Sequence, residues 1–268
     1  MKTYQLISRL WLAACLLSFS ATVFAQCPRI ISQSPYITHQ LDYLGVKHCI
    51  VGASRYNKEL AVTDTGGLLD PDQQAIQSLK PDLWLTSDWT PQDQFDAIET
   101  HIAKAIRLES FGSMQQIEHN LLDIAQHLNN PVALKKAQDF AQDWRQTAKT
   151  IDGKGQKLLL VSSCSGLPYS FGLDSWLADL FNYTGFQVVG HQQRITHLPI
   201  TTDENQLQAL INQLQPDLVF IFERKLTPVC QIMSLPQNTR IITLDGTDFL
   251  QPAPIMLKGL SQLKQHPW

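Results

Sequence analysis

Apolar residues along this chain fall into short runs, separated by longer stretches in which they recur every three or four positions. The runs Arg29 to Ser32, Cys49 to Ala53, Leu83 to Thr86, Ala105 to Leu108, Leu158 to Ser162, Val188 to Val189, Leu218 to Phe222 and Ile241 to Leu244 are bounded by turn residues and predict strands. Helical patterns lie between them, and this alternation argues for βαβ units and parallel sheets. The phrase Leu79-Lys80-Pro81-Asp82-Leu83 returns 135 residues later as Leu214-Gln215-Pro216-Asp217-Leu218, each time closing a helical pattern and opening a strand. An α/β protein of two lobes with like topology follows.

Between the lobes, Ser113 to Ile151 carries no strand signal and is broken at Asn129-Asn130-Pro131, where proline suits a first helical turn. From there Leu134, Ala137, Ala141, Trp144, Ala148 and Ile151 recur at spacings of three and four, which is one apolar helical face. A helix from Pro131 to Ile151 makes a rod of about 30 Å, a rigid strut between lobes. The expected division is a leader over 1–25, an N-terminal lobe over 26–112, a helical linker over 113–151 and a C-terminal lobe over 152–268.

The leader reads as an export signal. Lys2 and Arg9 precede the apolar run Leu10 to Leu17, and small residues lead to Val23-Phe24-Ala25, so cleavage is expected after Ala25. Leu12-Ala13-Ala14-Cys15 also resembles a lipobox, but cutting before Cys15 leaves about five apolar residues, short of the usual core of roughly 7–15. Lipid anchoring is therefore the lesser alternative. No later run reaches the roughly 20 apolar residues that span a bilayer, so a soluble, periplasmic product is expected.

Composition narrows the function classes. At 268 residues with 44% hydrophobic and 17% charged, the chain is too apolar to be disordered. Its formal charge of −3, near −5 once Lys2 and Arg9 leave, offers no basic surface for nucleic acid. Four cysteines remain after export, allowing three pairings. Cys27 precedes one strand and Cys49 opens the next, whereas Cys164 and Cys230 each lie near a strand end in the second half. The expected disulfides are Cys27–Cys49 and Cys164–Cys230.

Several chemistries find no support. The eight histidines include no HExxH, and His191 and His197 follow no metal-ligand spacing, so no metal site is expected, although His39 or His197 could offer an axial nitrogen to haem iron. Gly153-Lys154-Gly155 precedes a strand instead of following one, which excludes the usual dinucleotide turn, and no cofactor is expected. Ser162-Ser163-Cys164-Ser165-Gly166 is where a hydrolase nucleophile would sit, but it lacks GxSxG and no base can be assigned. An enzyme is not expected.

In order and spacing, several phrases resemble the exported substrate-binding proteins of ABC importers for iron chelates and vitamin B12. They are Arg29-Ile30-Ile31-Ser32-Gln33-Ser34-Pro35, Leu44-Gly45-Val46, Val51-Gly52, Ala75 to Leu83, and Pro168-Tyr169 with Gly172 before Trp176-Leu177. The resemblance spans nearly all of the mature chain. It implies two Rossmann-like lobes joined by one long helix, with a chelate held between them and delivered to a membrane permease by a monomeric receptor.

Ligands of open parallel sheets sit beyond the carboxyl ends of the strands. Those positions hold Tyr36, Arg55, Tyr56, Trp89 and Phe111 in the first half, and Tyr169, Phe171, Arg224 and Phe249 in the second. Flat rings suit a corrin, porphyrin or catecholate face. Tyr56 and Trp89 match aromatic positions of the B12-binding branch, and Pro168-Tyr169-Ser170 resembles its second-lobe loop, which favours a corrinoid slightly over a ferric siderophore or haem. Arg55 and Arg224 could instead grip ligand carboxylates. The resemblance also implies permease docking through one acidic residue per lobe, for which Asp93 and Glu204 are the nearest counterparts. Outside this class, the alternatives are an exported protein-binding adaptor or a hydrolase.

Overall fold

The structure, a computed structural model, describes residues 27–163, 168–198, 206–223 and 239–264. The leader, Cys164, Glu204, Arg224 and Cys230 lie outside the described residues.

The N-terminal lobe is built on β1 (Ile30–Ser32), β2 (Ile50–Ala53), β3 (Thr63–Asp64), β4 (Leu83–Ser87) and β5 (Ala105–Leu108). They form an all-parallel sheet in the order β3-β2-β1-β4-β5. Helices α1 (Pro35–Leu44), α2 (Gln73–Ser78) and α3 (Gln92–Glu99) connect them. Both faces are covered, so neighbouring strand residues are buried in opposite directions. Ile30, Leu83 and Leu85 join the central core, while Ile31 and Trp84 pack outward with Ile76, Phe95 and Ile98.

The C-terminal lobe holds β6 (Lys157–Val161), β7 (Tyr169–Phe171), β8 (Gln187–Val188), β9 (Ile195–His197), β10 (Leu218–Glu223) and β11 (Arg240–Asp245). Here the expected parallel sheet is mixed. β11, β10, β6 and β8 are parallel, but β7 runs antiparallel to both β6 and β9. One edge of β6 is shared: β8 pairs with Lys157 and Leu158 at its start, and β7 with Leu160 and Val161 at its end. The remaining helices of this lobe are α6 (Trp176–Tyr183), α7 (Gln206–Leu214), α8 (Gly246–Phe249) and α9 (Met256–Leu263), numbered after the two linker helices below.

The repeated phrase has one structure in both lobes. Lys80 and Gln215, each just before the proline, share a left-handed backbone with φ of 46°. The aspartate after each proline bonds the amide that leads into its lobe's central strand. Asp82 Oδ2 accepts from Arg29 N–H at 2.7 Å, and Asp217 Oδ2 accepts from Lys157 N–H at 2.8 Å. The amides of Asp82 and Asp217 return the bond to the carbonyls of Arg29 and Lys157, at 2.9 Å each. Each phrase therefore ends a helix and sets the register of two strands at once.

The linker folds as α4 (Met114–His127) and α5 (Pro131–Ala148). Asn130 caps α5 by accepting from the amides of Val132 and Ala133, and Pro131 needs no such partner. The strut is 18 residues long and stops before Ile151, with Lys149 as its cap. Its buried face is Ala133, Ala137, Phe140, Trp144 and Ala148, so Phe140 takes the place expected of Ala141. Phe140 meets Tyr43 of α1 edge-on at 5.6 Å, and Trp144 meets Tyr183 of α6 at 4.9 Å. One contiguous core thus passes from the first lobe through α5 into the second.

Cys27 and Cys49 are joined by a disulfide with 5.5 Å between Cα atoms, tying the segment before β1 to the entry of β2. Closing this 22-residue separation stabilises the fold by about 3 kcal/mol. Replacing both cysteines by serine is expected to lower the unfolding free energy from urea titration by about that amount, and an unchanged value would show the link to be dispensable. Burial pushes the Tyr36 phenol up to about 12, and burial with the nearby Asp143 carboxylate does the same for Tyr43. Both stay protonated in the folded chain where the unfolded chain ionises, so the stability they contribute is full below pH 10 and is lost as pH rises toward 12. Urea midpoints across that range should fall, and Tyr36→Phe should make the fall shallower; an equally steep fall would contradict this.

Candidate functional site

A cavity of about 920 Å3 opens between the lobes, at the carboxyl ends of both sheets. In the first lobe it sits at the switch point, where β1 and β4 are neighbours but their connections leave in opposite directions. Ser34, Pro35 and Tyr36 after β1, and Trp89 after β4, line it there.

Each wall is held by local bonding. Buried Gln33 donates from Nε2 to the carbonyls of Thr65 (2.7 Å) and Gly67 (3.1 Å), and its Oε1 accepts from Trp84 Nε1–H at 3.2 Å. This anchors the loop that brings Leu68 to the cavity. Gly66 turns that loop with φ of 83°, and its carbonyl accepts from Arg55 N–H at 3.0 Å, next to Tyr56. The turn before Trp89 is clamped by Arg107, whose guanidinium donates to the carbonyls of Asp88 and Thr90, both at 2.8 Å.

The rings form a connected wall. Trp89 stacks on Phe111 at 4.8 Å with 22° between planes. Phe111 meets Tyr36 and Trp176 edge-on, each at 5.4 Å. Trp176 leads to Phe171 and Phe171 to Tyr169, both at 5.3 Å. The chain of contacts therefore crosses from one lobe to the other. Tyr36 is 1% exposed, and its hydroxyl lies by Ser110 and Ser87 without reaching hydrogen-bond geometry. Tyr56 and Trp89, both in the lining, are 61% and 45% exposed.

Of the residues expected from sequence to hold a ligand, Tyr36, Tyr56, Trp89, Phe111, Tyr169 and Phe171 line this cavity together. Arg55 lies outside the lining and pairs with Asp70 at 2.9 Å. Phe249 is also outside it, buried against Phe222 at 5.3 Å. Asp93 is exposed in the first turn of α3. His197 lines the cavity, whereas His39 faces a separate hollow of about 260 Å3 with Asp42 and Tyr43. His191 instead bonds Ser170 Oγ through Nε2 at 2.9 Å. Ser162 Oγ accepts the Tyr169 amide at 3.1 Å, which assigns it to the β6–β7 connection. Among the described residues, one group of His, Cys, Asp and Glu converges closely enough for a metal, Cys27, His48 and Cys49, and its sulfurs are bonded to each other.

Sequence reasoning missed Lys58, Trp176, Gln193, Arg194 and Ile195, all of which line the cavity. Three of these arrive on or just before β9, laid against β7. Gly172 permits that approach, because a Cβ there would collide with the Gln193 carbonyl. Gln193 to His197 holds one apolar residue, Ile195, and a three-residue strand with so little pattern does not stand out from a loop.

No protein-family model matches the chain. The ferric-anguibactin-binding protein FatB of Vibrio anguillarum is 23% identical over 180 residues, which is 63% of this chain and 53% of FatB. The chain thus spans about half the length of that curated relative. Among solved structures, the periplasmic vitamin B12 binding protein BtuF of Vibrio cholerae superposes with a TM-score of 0.69 at 18% identity, covering 88% of this chain and 95% of BtuF. The periplasmic haem-binding protein BhuT, in complex with two haems, gives 0.68 at 16% identity over 88% and 95% of the two chains. The siderophore-binding protein BauB, bound to ferric iron and two acinetobactin molecules, gives 0.66 at 18% over 91% and 95%. The chain therefore has the two-lobed fold shared by these binding proteins for vitamin B12, haem and ferric siderophores.

Proposed function

We propose that this protein is the exported substrate-binding component of an ABC importer, capturing a bulky metal chelate between its lobes and delivering it to the permease. The observation that carries this reading is the aromatic cavity of about 920 Å3 at facing strand ends, near the top of the roughly 300–1,000 Å3 range of ligand pockets. Its mouth is open, so a chelate larger than the hollow can protrude. The role needs capture and release and no bond-making step. The lobe division at 112 and 152, the periplasmic location and docking through Asp93 and Glu204 belong to the same proposal.

A corrinoid is the first candidate ligand, supported by the stacked Trp89 and Phe111 and by exposed Tyr56 at the mouth. Haem or a ferric siderophore is the second reading, favoured by Lys58, Arg194 and His197 in the lining and by the likeness to FatB. Because α5 is one continuous helix packed on both lobes, ligand selects among closely similar states and affinity rests largely on a preformed cleft.

Titration with cyanocobalamin, haemin and ferric siderophores should give saturable quenching of intrinsic fluorescence by one chelate class, since Trp89 and Trp176 both line the cleft. Trp89→Ala should weaken that ligand about tenfold, the loss expected of a central aromatic anchor. Quenching that never saturates for any chelate, or an unchanged affinity in the variant, would contradict the assignment.

A further inference from the structure

One ion pair bridges the lobes at the cavity. Arg194, just before β9, reaches Asp88, just after β4, with Nη1 and Oδ2 3.4 Å apart. The aspartate is the fixed partner. Its amide donates to the Leu108 carbonyl at 2.9 Å, its carbonyl accepts from Arg107, and its Oδ1 accepts from Ser87 Oγ–H at 2.9 Å. The arginine is held differently. Its carbonyl accepts the Gly172 amide at 3.0 Å, which fixes its backbone, while the side chain is 43% exposed. Arg194 also borders two hollows, the aromatic cavity and a polar one of about 690 Å3 on its other side, so the guanidinium has room to move.

A single long contact between a guanidinium 43% exposed and a carboxylate 21% exposed is a weak bond that water and salt already compete with. A carboxylate or phosphate brought into the cavity by a ligand can instead meet the planar guanidinium with two parallel bonds, in a place the ligand itself dries. Trp89 follows Asp88 directly, and Ile195 follows Arg194. The pair therefore sits beside the ring on which a flat ligand would stack.

We propose that Arg194 grips an acidic substituent, carboxylate or phosphate, of a tetrapyrrole chelate, and that Asp88 holds this guanidinium in the ligand-free protein, so that binding exchanges one anion for another. This deepens the receptor reading and rests on it. The ion pair then has two roles: it keeps the arginine in place before ligand arrives, and it makes a ligand without an acidic group leave the pair intact.

The test compares acid-bearing and acid-free probes. Haemin is set against its dimethyl ester for the carboxylate, and cyanocobalamin against dicyanocobinamide, which lacks the phosphodiester. Each is titrated into the wild type, Arg194→Gln and Asp88→Asn. For the tetrapyrrole that binds, the acid-bearing form should lose about tenfold more affinity than the acid-free form in Arg194→Gln, the scale of one charge-assisted bond. Asp88→Asn should shift the same ratio the opposite way. Equal losses for both forms, or a loss of acid-form preference in Asp88→Asn, would overturn the exchange while leaving the receptor reading intact. Saturable binding of a ferric siderophore with no tetrapyrrole bound would also overturn it alone. Absence of saturable binding for every chelate would remove both.

Discussion

The packing of α5 against both lobes is the constraint from which the other features follow. One turn apart on its buried face, Phe140 touches Tyr43 of the first lobe and Trp144 touches Tyr183 of the second, and the apolar core runs unbroken between the lobes. Separating the lobes by a wide swing would expose that face, and truncating one such aromatic typically costs about 3–5 kcal/mol. Further ties fix the angle. The buried Gln40 side chain donates to the Pro252 carbonyl at 3.1 Å, Asp179 accepts the Met114 amide at 2.9 Å, and the Trp176 amide reaches the Phe111 carbonyl at 3.3 Å. Two sheets held this way keep their carboxyl ends turned toward one hollow.

Within each lobe, local bonding does what the strut does between lobes. The aspartates of the repeated phrase lock the first strand of each sheet to the strand beside it, and in the first lobe Arg107 and Gln33 fix the loops that leave β4 and β3. Aromatic side chains arrive at the cavity already placed, so a ligand meets a surface that needs little ordering. The ion pair across the mouth, Arg194 to Asp88, is the part with freedom left.

Much of this was legible in the chain. Strands buried on both faces read as apolar runs, and the proline phrase marks equivalent points of two repeats, so the sequence alone places eight strands and the strut. The rule that ligands sit beyond strand ends brought Tyr36, Trp89 and Tyr169 to one hollow. What was hidden has a common physical cause. β3, β7 and β9 are two or three residues long and owe their existence to pairing partners, not to their own pattern. The residues carried by β9, Arg194 among them, therefore leave no trace in the apolar pattern, and neither does the antiparallel pairing of β7. Arg55 and Phe249 stand at strand ends as the rule requires, but Asp70 and the core of the second lobe hold them elsewhere.

The central claim is that the strut holds a preformed cleft, so filling it changes the shape of the molecule very little. Small-angle scattering on the free protein, and on the protein saturated with the chelate that quenches its fluorescence, tests this most directly. The account predicts coincident radii of gyration and pair-distance distributions. A clear contraction on saturation would show that the lobes swing about α5, and that the cleft is made by its ligand.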